Sequence, residues 1–130
     1  MSGKIDRDRY ITTYRPEYAA LQYSNQNLPA TSKLMGLFIG NRRYYSDREL
    51  IFGNNQFRKI VKAARSYDDV VSVLKGRGFT HLLIRFELFN RWAGVQFNDR
   101  EREMLNTFFK KNVKLMFAKG GYGLFEFMRN

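Results

Sequence analysis

The order in which apolar patterns recur along the chain predicts an α/β domain of three layers, with a central mixed sheet of about five strands, helices on both faces and a C-terminal β-hairpin. Three observations carry that prediction. Short apolar runs, at residues 33–39 and 79–88, alternate with segments whose apolar residues recur every three or four positions. Two further runs, 113–118 and 122–128, are joined through Lys119-Gly120-Gly121, and glycine's tolerance of positive φ makes that a hairpin turn. The length of 130 residues, 44% hydrophobic and 16% aromatic, suits one continuous core and not two.

Taken in order, the first pattern places Ile11, Tyr14, Tyr18 and Leu21 on one helical face. Pro16 interrupts it, because the proline ring clashes with the preceding turn, so a helix is expected from Pro16 to about Asn25. A strand over 33–39 follows. Either Tyr44-Tyr45 or residues 49–52 supply a second short strand, and Gly53-Asn54-Asn55 turns the chain away. Phe57, Ile60, Val61 and Ala64 mark the next helix. Ser66 is expected to cap another, with Asp69 completing a capping box and Val70, Val71 and Leu74 on the apolar side. Residues 79–88 form a strand candidate, and 90–97 read as an irregular loop holding the single tryptophan, Trp92. Asn98, with Glu101 at the box position, caps a last helix whose core face holds Met104, Leu105, Phe108 and Phe109. Residues 1–14 are read as an N-terminal segment, an expression start or a linker from a membrane region, and 15–130 as a single α/β domain.

Twenty-three basic against twelve acidic residues give a net charge of +11 and a pI near 10.1. Such a chain is drawn to polyanions: nucleic acid, anionic headgroups or phosphorylated ligands. The basic residues are spread without a block of five or six, so part of the excess is solvated surface. The absence of cysteine excludes disulfides and thiolate metal sites. The longest strongly apolar run, about six residues, falls far short of the roughly 20 that a membrane helix needs. The opening MSGKIDRDRY lacks the apolar core of a signal peptide, so the chain as it stands is expected to be soluble.

The stretch KLMGLFIGNRRYYSDRELI is where a site is expected, since an apolar strand there gives way at Gly40 to a basic, aromatic loop. Arg42, Arg43 and Arg48 bring forked cationic donors, and Tyr44 and Tyr45 bring stacking faces, a chemistry that suits a phosphate or sugar-phosphate. Catalytic readings fail elsewhere. His81, the one histidine, precedes an apolar strand without a visible partner and reads as structural. Asp47 and Glu49, and Asp68 and Asp69, are near neighbours that would not converge on one bond; Asp47 reads as a turn residue or a partner for Arg42, Arg43 or Arg48. Gly120-Gly121-Tyr122-Gly123 lacks the spacing and following helix of a phosphate loop. No catalytic residue, metal ligand or cofactor is assigned.

Tyr23-Ser24-Asn25-Gln26-Asn27-Leu28-Pro29, Leu37-Phe38-Ile39-Gly40 leading to Arg43-Tyr44-Tyr45-Ser46-Asp47-Arg48, Gly78-Phe79-Thr80-His81-Leu82-Leu83-Ile84 and Gly121-Tyr122-Gly123-Leu124-Phe125-Glu126-Phe127 form an ordered set. From Arg15 onward this resembles the soluble C-terminal domain that follows the membrane helices in bacterial relatives of the protein O-mannosyltransferases, which use polyprenyl-phosphate-linked sugars. The resemblance implies an accessory, noncatalytic domain on the extracytoplasmic (periplasmic) side of the inner membrane, its catalytic acid lying in a membrane portion this chain does not contain. Expected partners are the membrane surface, the transmembrane region, a polyprenyl-phosphate sugar or a glycan acceptor. The rival expectation is a stand-alone basic nucleic-acid-binding module.

Overall fold

The structure, a computed structural model, describes residues 16–39 and 46–128. In chain order the elements are α1 (Pro16–Asn27), β1 (Lys33–Leu37), β2 (Glu49–Phe52), α2 (Asn54–Ala63), α3 (Tyr67–Gly76), β3 (His81–Arg85), α4 (Phe86–Gln96), α5 (Asp99–Lys111), β4 (Val113–Lys119) and β5 (Tyr122–Phe127). The strands form one mixed five-stranded sheet in the order β2-β1-β3-β5-β4. β1 runs parallel to both β2 and β3, whereas β5 is antiparallel to β3 and β4. The predicted fold class is therefore the observed one.

Alternation along the strands builds two cores. Met35 and Leu37 of β1, Leu82 and Ile84 of β3 and Phe125 and Phe127 of β5 join α2, α3, α4 and α5 in the larger cluster. Leu34, Leu83 and Leu124 point the other way, where they meet Ala20, Leu21 and Leu28 in and just beyond α1. Because both faces of β1 and β3 are covered, these strands read as unbroken apolar runs. The hairpin turns through Gly120 and Gly121, at φ 60° and 85°, between the paired Lys119 and Tyr122. Both angles are left-handed, as a two-residue turn between twisted strands requires.

The structure corrects several local expectations. Of the two options for the second strand, residues 49–52 form it. The strand expected over 33–39 stops at Leu37, and Ile39 is buried beyond its end. Residues 90–97 are not a loop: the chain passes from β3 straight into α4 at Phe86. Phe89 and Ala93, four apart on the face of α4 that packs on the core, are the helical signal, which Asn90 and Gly94 obscured. The box at Ser66 does not form. Its side chain makes no capping bond, and Asp69 Oδ2 instead accepts from the Arg65 amide at 2.8 Å, one residue too early. The box at Asn98 does form: Asn98 Oδ1 accepts from the Glu101 amide at 2.8 Å, and Glu101 Oε1 from the Asn98 amide at 2.9 Å.

Candidate functional site at the carboxyl ends of β1 and β3

β1 has β2 on one side and β3 on the other, and the chain leaves the ends of β1 and β3 in opposite directions. Crevices of this kind, outside the carboxyl ends of parallel strands, are where open α/β sheets collect ligands. At the end of β1, Phe38 has φ 63°, the one non-glycine residue at positive φ among the described residues. A bulky side chain in that conformation costs on the order of 1–3 kcal/mol and persists only where its surroundings over-determine it. Here Asn54 Oδ1 accepts from the Phe38 amide at 3.1 Å, and the Gly53 amide donates to Gly36 O at 3.0 Å. The Phe38 ring stands edge-on to Trp92 of α4, with centroids 5.1 Å apart. The start of the loop is thus pinned in a strained conformation by β2, α2 and α4 together.

Arg42, Arg43, Tyr44 and Tyr45 lie outside the described residues. Arg48, the fifth residue of the expected cluster, is half-buried, and its guanidinium is turned to the protein. Nε and Nη2 donate to Leu28 O at 3.0 and 2.6 Å, and Nη2 also donates to Asn25 O at 2.9 Å. These carbonyls belong to the C-terminal end of α1, where backbone acceptors lack helical partners and a cation meets the negative end of the helix dipole. The Asp47 amide donates to Asn25 Oδ1 at 2.7 Å, adding a second tie. Arg48 therefore fastens the far end of the loop to α1.

At the opposite end of the sheet His81 is buried, its Nδ1 lying 2.7 Å from Thr80 Oγ1. Burial holds its pKa below the ordinary histidine value, opposed in part by the charge of Glu126 on the paired strand. That matches the structural role expected for it. Glu101 is buried as well; a hydrogen bond from Lys62 Nζ at 2.8 Å is the main cause that keeps its carboxyl below the usual range, outweighing desolvation. It joins α5 to α2 and accepts from the cap, so it serves packing. Among the described residues, no group of three or more His, Asp or Glu is placed to hold a metal ion.

A concavity of about 460 Å³ opens between α4, α5 and the sheet, beside the carboxyl end of β3. Ile84 and Phe86 contribute to it from the end of β3 and the start of α4. The sequence placed Leu105 and Phe109 on a core face but did not point to a cavity, because 90–97, which supplies Asn90, Ala93 and Gly94 of the α4 wall, read as loop.

The order β2-β1-β3-β5-β4 and this arrangement of helices have a counterpart among solved structures. The C-terminal globular domain of an oligosaccharyltransferase from Archaeoglobus fulgidus aligns with a TM-score of 0.55 at 14% identity, over 85% of this chain and 95% of that one. The two share a fold. Another structure described as the C-terminal globular domain of oligosaccharyltransferase from the same organism aligns over 100% of this chain and 98% of that one, at 19% identity and a TM-score of only 0.39. No protein-family model matches the chain, and no curated protein does. No helix among the described residues is long and apolar enough to cross a membrane.

Proposed function

We propose that this chain is a noncatalytic accessory domain of a membrane-bound glycosyltransferase-like protein. The observation that carries the reading is the shared fold with a domain that forms the C-terminal globular part of an oligosaccharyltransferase. The ordered segments resembling the C-terminal domain of bacterial O-mannosyltransferase relatives point to the same class of parent. In this reading the domain stands on the extracytoplasmic side of the membrane. Its 42–48 loop meets anionic headgroups, a lipid-phosphate sugar or the acceptor, each basic residue near such a surface contributing on the order of 1 kcal/mol. Arg42, Arg43, Tyr44 and Tyr45 make the contact, and Arg48 holds the loop to α1.

The experiment compares the protein with an Arg42→Ala/Arg43→Ala variant on anionic and neutral vesicles. Arg48 is left intact because its loss would disturb α1. Binding to anionic vesicles that falls in the variant with no change in melting temperature supports the loop contact; equal binding refutes it. The membrane context is tested separately by reading the gene around this segment, where a reading frame without membrane spans ahead of it would defeat the proposal. The net charge of +11 also fits a nucleic-acid-binding module. That rival requires oligonucleotide affinity that drops steeply with salt, and no binding at low ionic strength excludes it.

A further inference from the structure

We infer that the concavity between α4 and α5 is a binding site for a neutral, bulky apolar side chain presented on an amide backbone, as in an extended peptide. The size and lining come first. About 460 Å³ is within the range of specific ligand sites, and four phenylalanines, Phe86, Phe89, Phe109 and Phe125, form its apolar walls. These rings are held by one another. Phe109 stands 5.7 Å from Phe89 and 5.4 Å from Phe125, and Phe86 stands 6.0 Å from Phe125, so the walls do not depend on an occupant.

The mouth supplies the polar half of the argument. Asn90 of α4 and Asn106 of α5 line it, both are exposed, and neither side chain takes part in a hydrogen bond among the described residues. Each carries a carbonyl acceptor and an N–H donor, the same pair that a peptide bond presents in reverse. Arg102, the one charged group among the described residues on the wall, is already engaged. Its Nη1 donates to Gly94 O and Phe97 O, and Nη2 pairs with Asp99. Among the described residues lining the concavity, a ligand's carboxylate or phosphate would find no unengaged cation, and a plain hydrocarbon would make no use of either amide.

Gly94 points the same way. It occupies the interior of α4, where glycine weakens a helix relative to alanine, yet a Cβ built on it would meet nothing within 4 Å. Internal packing does not require glycine at this place, and it stands on the wall of the concavity. Keeping that wall low leaves the entrance open. This site is independent of the membrane reading and of the 42–48 loop.

The test titrates the whole chain with N-acetyl-L-phenylalaninamide, followed by ¹H–¹⁵N NMR. N-acetylglycinamide, N-acetyl-L-phenylalanine carboxylate and n-octanol serve as comparison probes. The expected result is saturable binding of the phenylalanine amide that shifts the side-chain amides of Asn90 and Asn106, with at least 10-fold weaker binding of each comparison probe. Gly94→Trp, which fills the entrance, should abolish the shifts, and Asn90→Ala/Asn106→Ala should weaken binding at least 10-fold, each at an unchanged melting temperature. Absence of saturable shifts would overturn the site. Binding unaffected by Gly94→Trp would put it elsewhere, and octanol or the carboxylate binding as well as the amide would overturn the ligand class.

Discussion

The two faces of the sheet are stabilised in different ways. On one side α2, α3, α4 and α5 bury a large aromatic core, with Phe57 and Phe108 fully enclosed. On the other, α1 is the one helix among the described residues that lies over the smaller cluster of Leu34, Leu83 and Leu124. Polar and aromatic ties hold this helix: Arg48 and Asp47 grip its C-terminal end, and Tyr23 stacks on Phe117 of β4 with centroids 4.8 Å apart. One face relies on buried apolar volume and the other on a few directional contacts. The strained Phe38 packs on the larger core, and Ile39, next in the chain, is buried in the smaller one.

The largest effects should come from the thick face. Phe108→Ala removes a fully buried ring that packs on Phe109 and Phe127, and a loss of about 3–5 kcal/mol is expected in urea unfolding. Leu21→Ala on the inner face of α1 should cost less, about 2 kcal/mol, because the side chain is smaller and belongs to the smaller core cluster. Equal losses would mean that α1 is held as rigidly as the four-helix side.

Next in size is the clamp. Arg48→Ala should cost about 1–2 kcal/mol, the partial exposure of the site moderating the worth of hydrogen bonds to a charged group. Arg48→Lys should recover little of it, since an ammonium cannot fork between Leu28 O and Asn25 O. Amide exchange concentrated in α1 would locate the damage; uniform exchange across the domain would break the distinction between the faces.

A smaller contrast separates two helix starts on the thick face. Asn98→Ala should cost about 1 kcal/mol, because its box is formed, whereas Ser66→Ala should cost under about 0.5 kcal/mol, because its hydroxyl caps nothing. Matched thermal melts of the two variants decide this.

Acidity should loosen the faces in turn. His81 lies on the α1 side of β3 and has a folded pKa below 6.5, so as the pH falls beneath 6.5 the unfolded chain takes the proton first and stability declines toward the folded pKa. Glu101, on the other face, has a folded pKa below 4.5. Its contribution is complete above 4.5 and is lost as the pH falls through the folded value. His81→Gln should flatten the first decline and Glu101→Gln the second, as read from urea midpoints against pH. If His81→Gln leaves the decline beneath pH 6.5 unchanged, the histidine is not its source.

Much of the architecture was legible because it rests on local rules. Both faces of β1 and β3 are buried, so their runs stood out. The Asn98 box and the Gly120-Gly121 turn were legible because each is built within a few residues. α4 was missed because Asn90 and Gly94, which line the concavity and do not support the helix, look like loop residues in a linear reading. The site was legible only in outline. A basic, aromatic loop could be seen to follow β1, but Arg42, Arg43, Tyr44 and Tyr45 lie outside the described residues, and Arg48 proves to face α1.

By itself, then, the sequence determined the α/β class, the hairpin, the helix capped by Asn98 and the excess of positive charge, because periodicity, turn chemistry and composition act over short range. Only the tertiary structure decided that α1 packs on the face opposite α2–α5, that Arg48 holds it there, that Phe38 is strained against Trp92, and that four phenylalanines and two free amides surround one opening. Each of those depends on residues distant in the chain meeting through the strand order, and no local pattern encodes which distant partner a side chain will find.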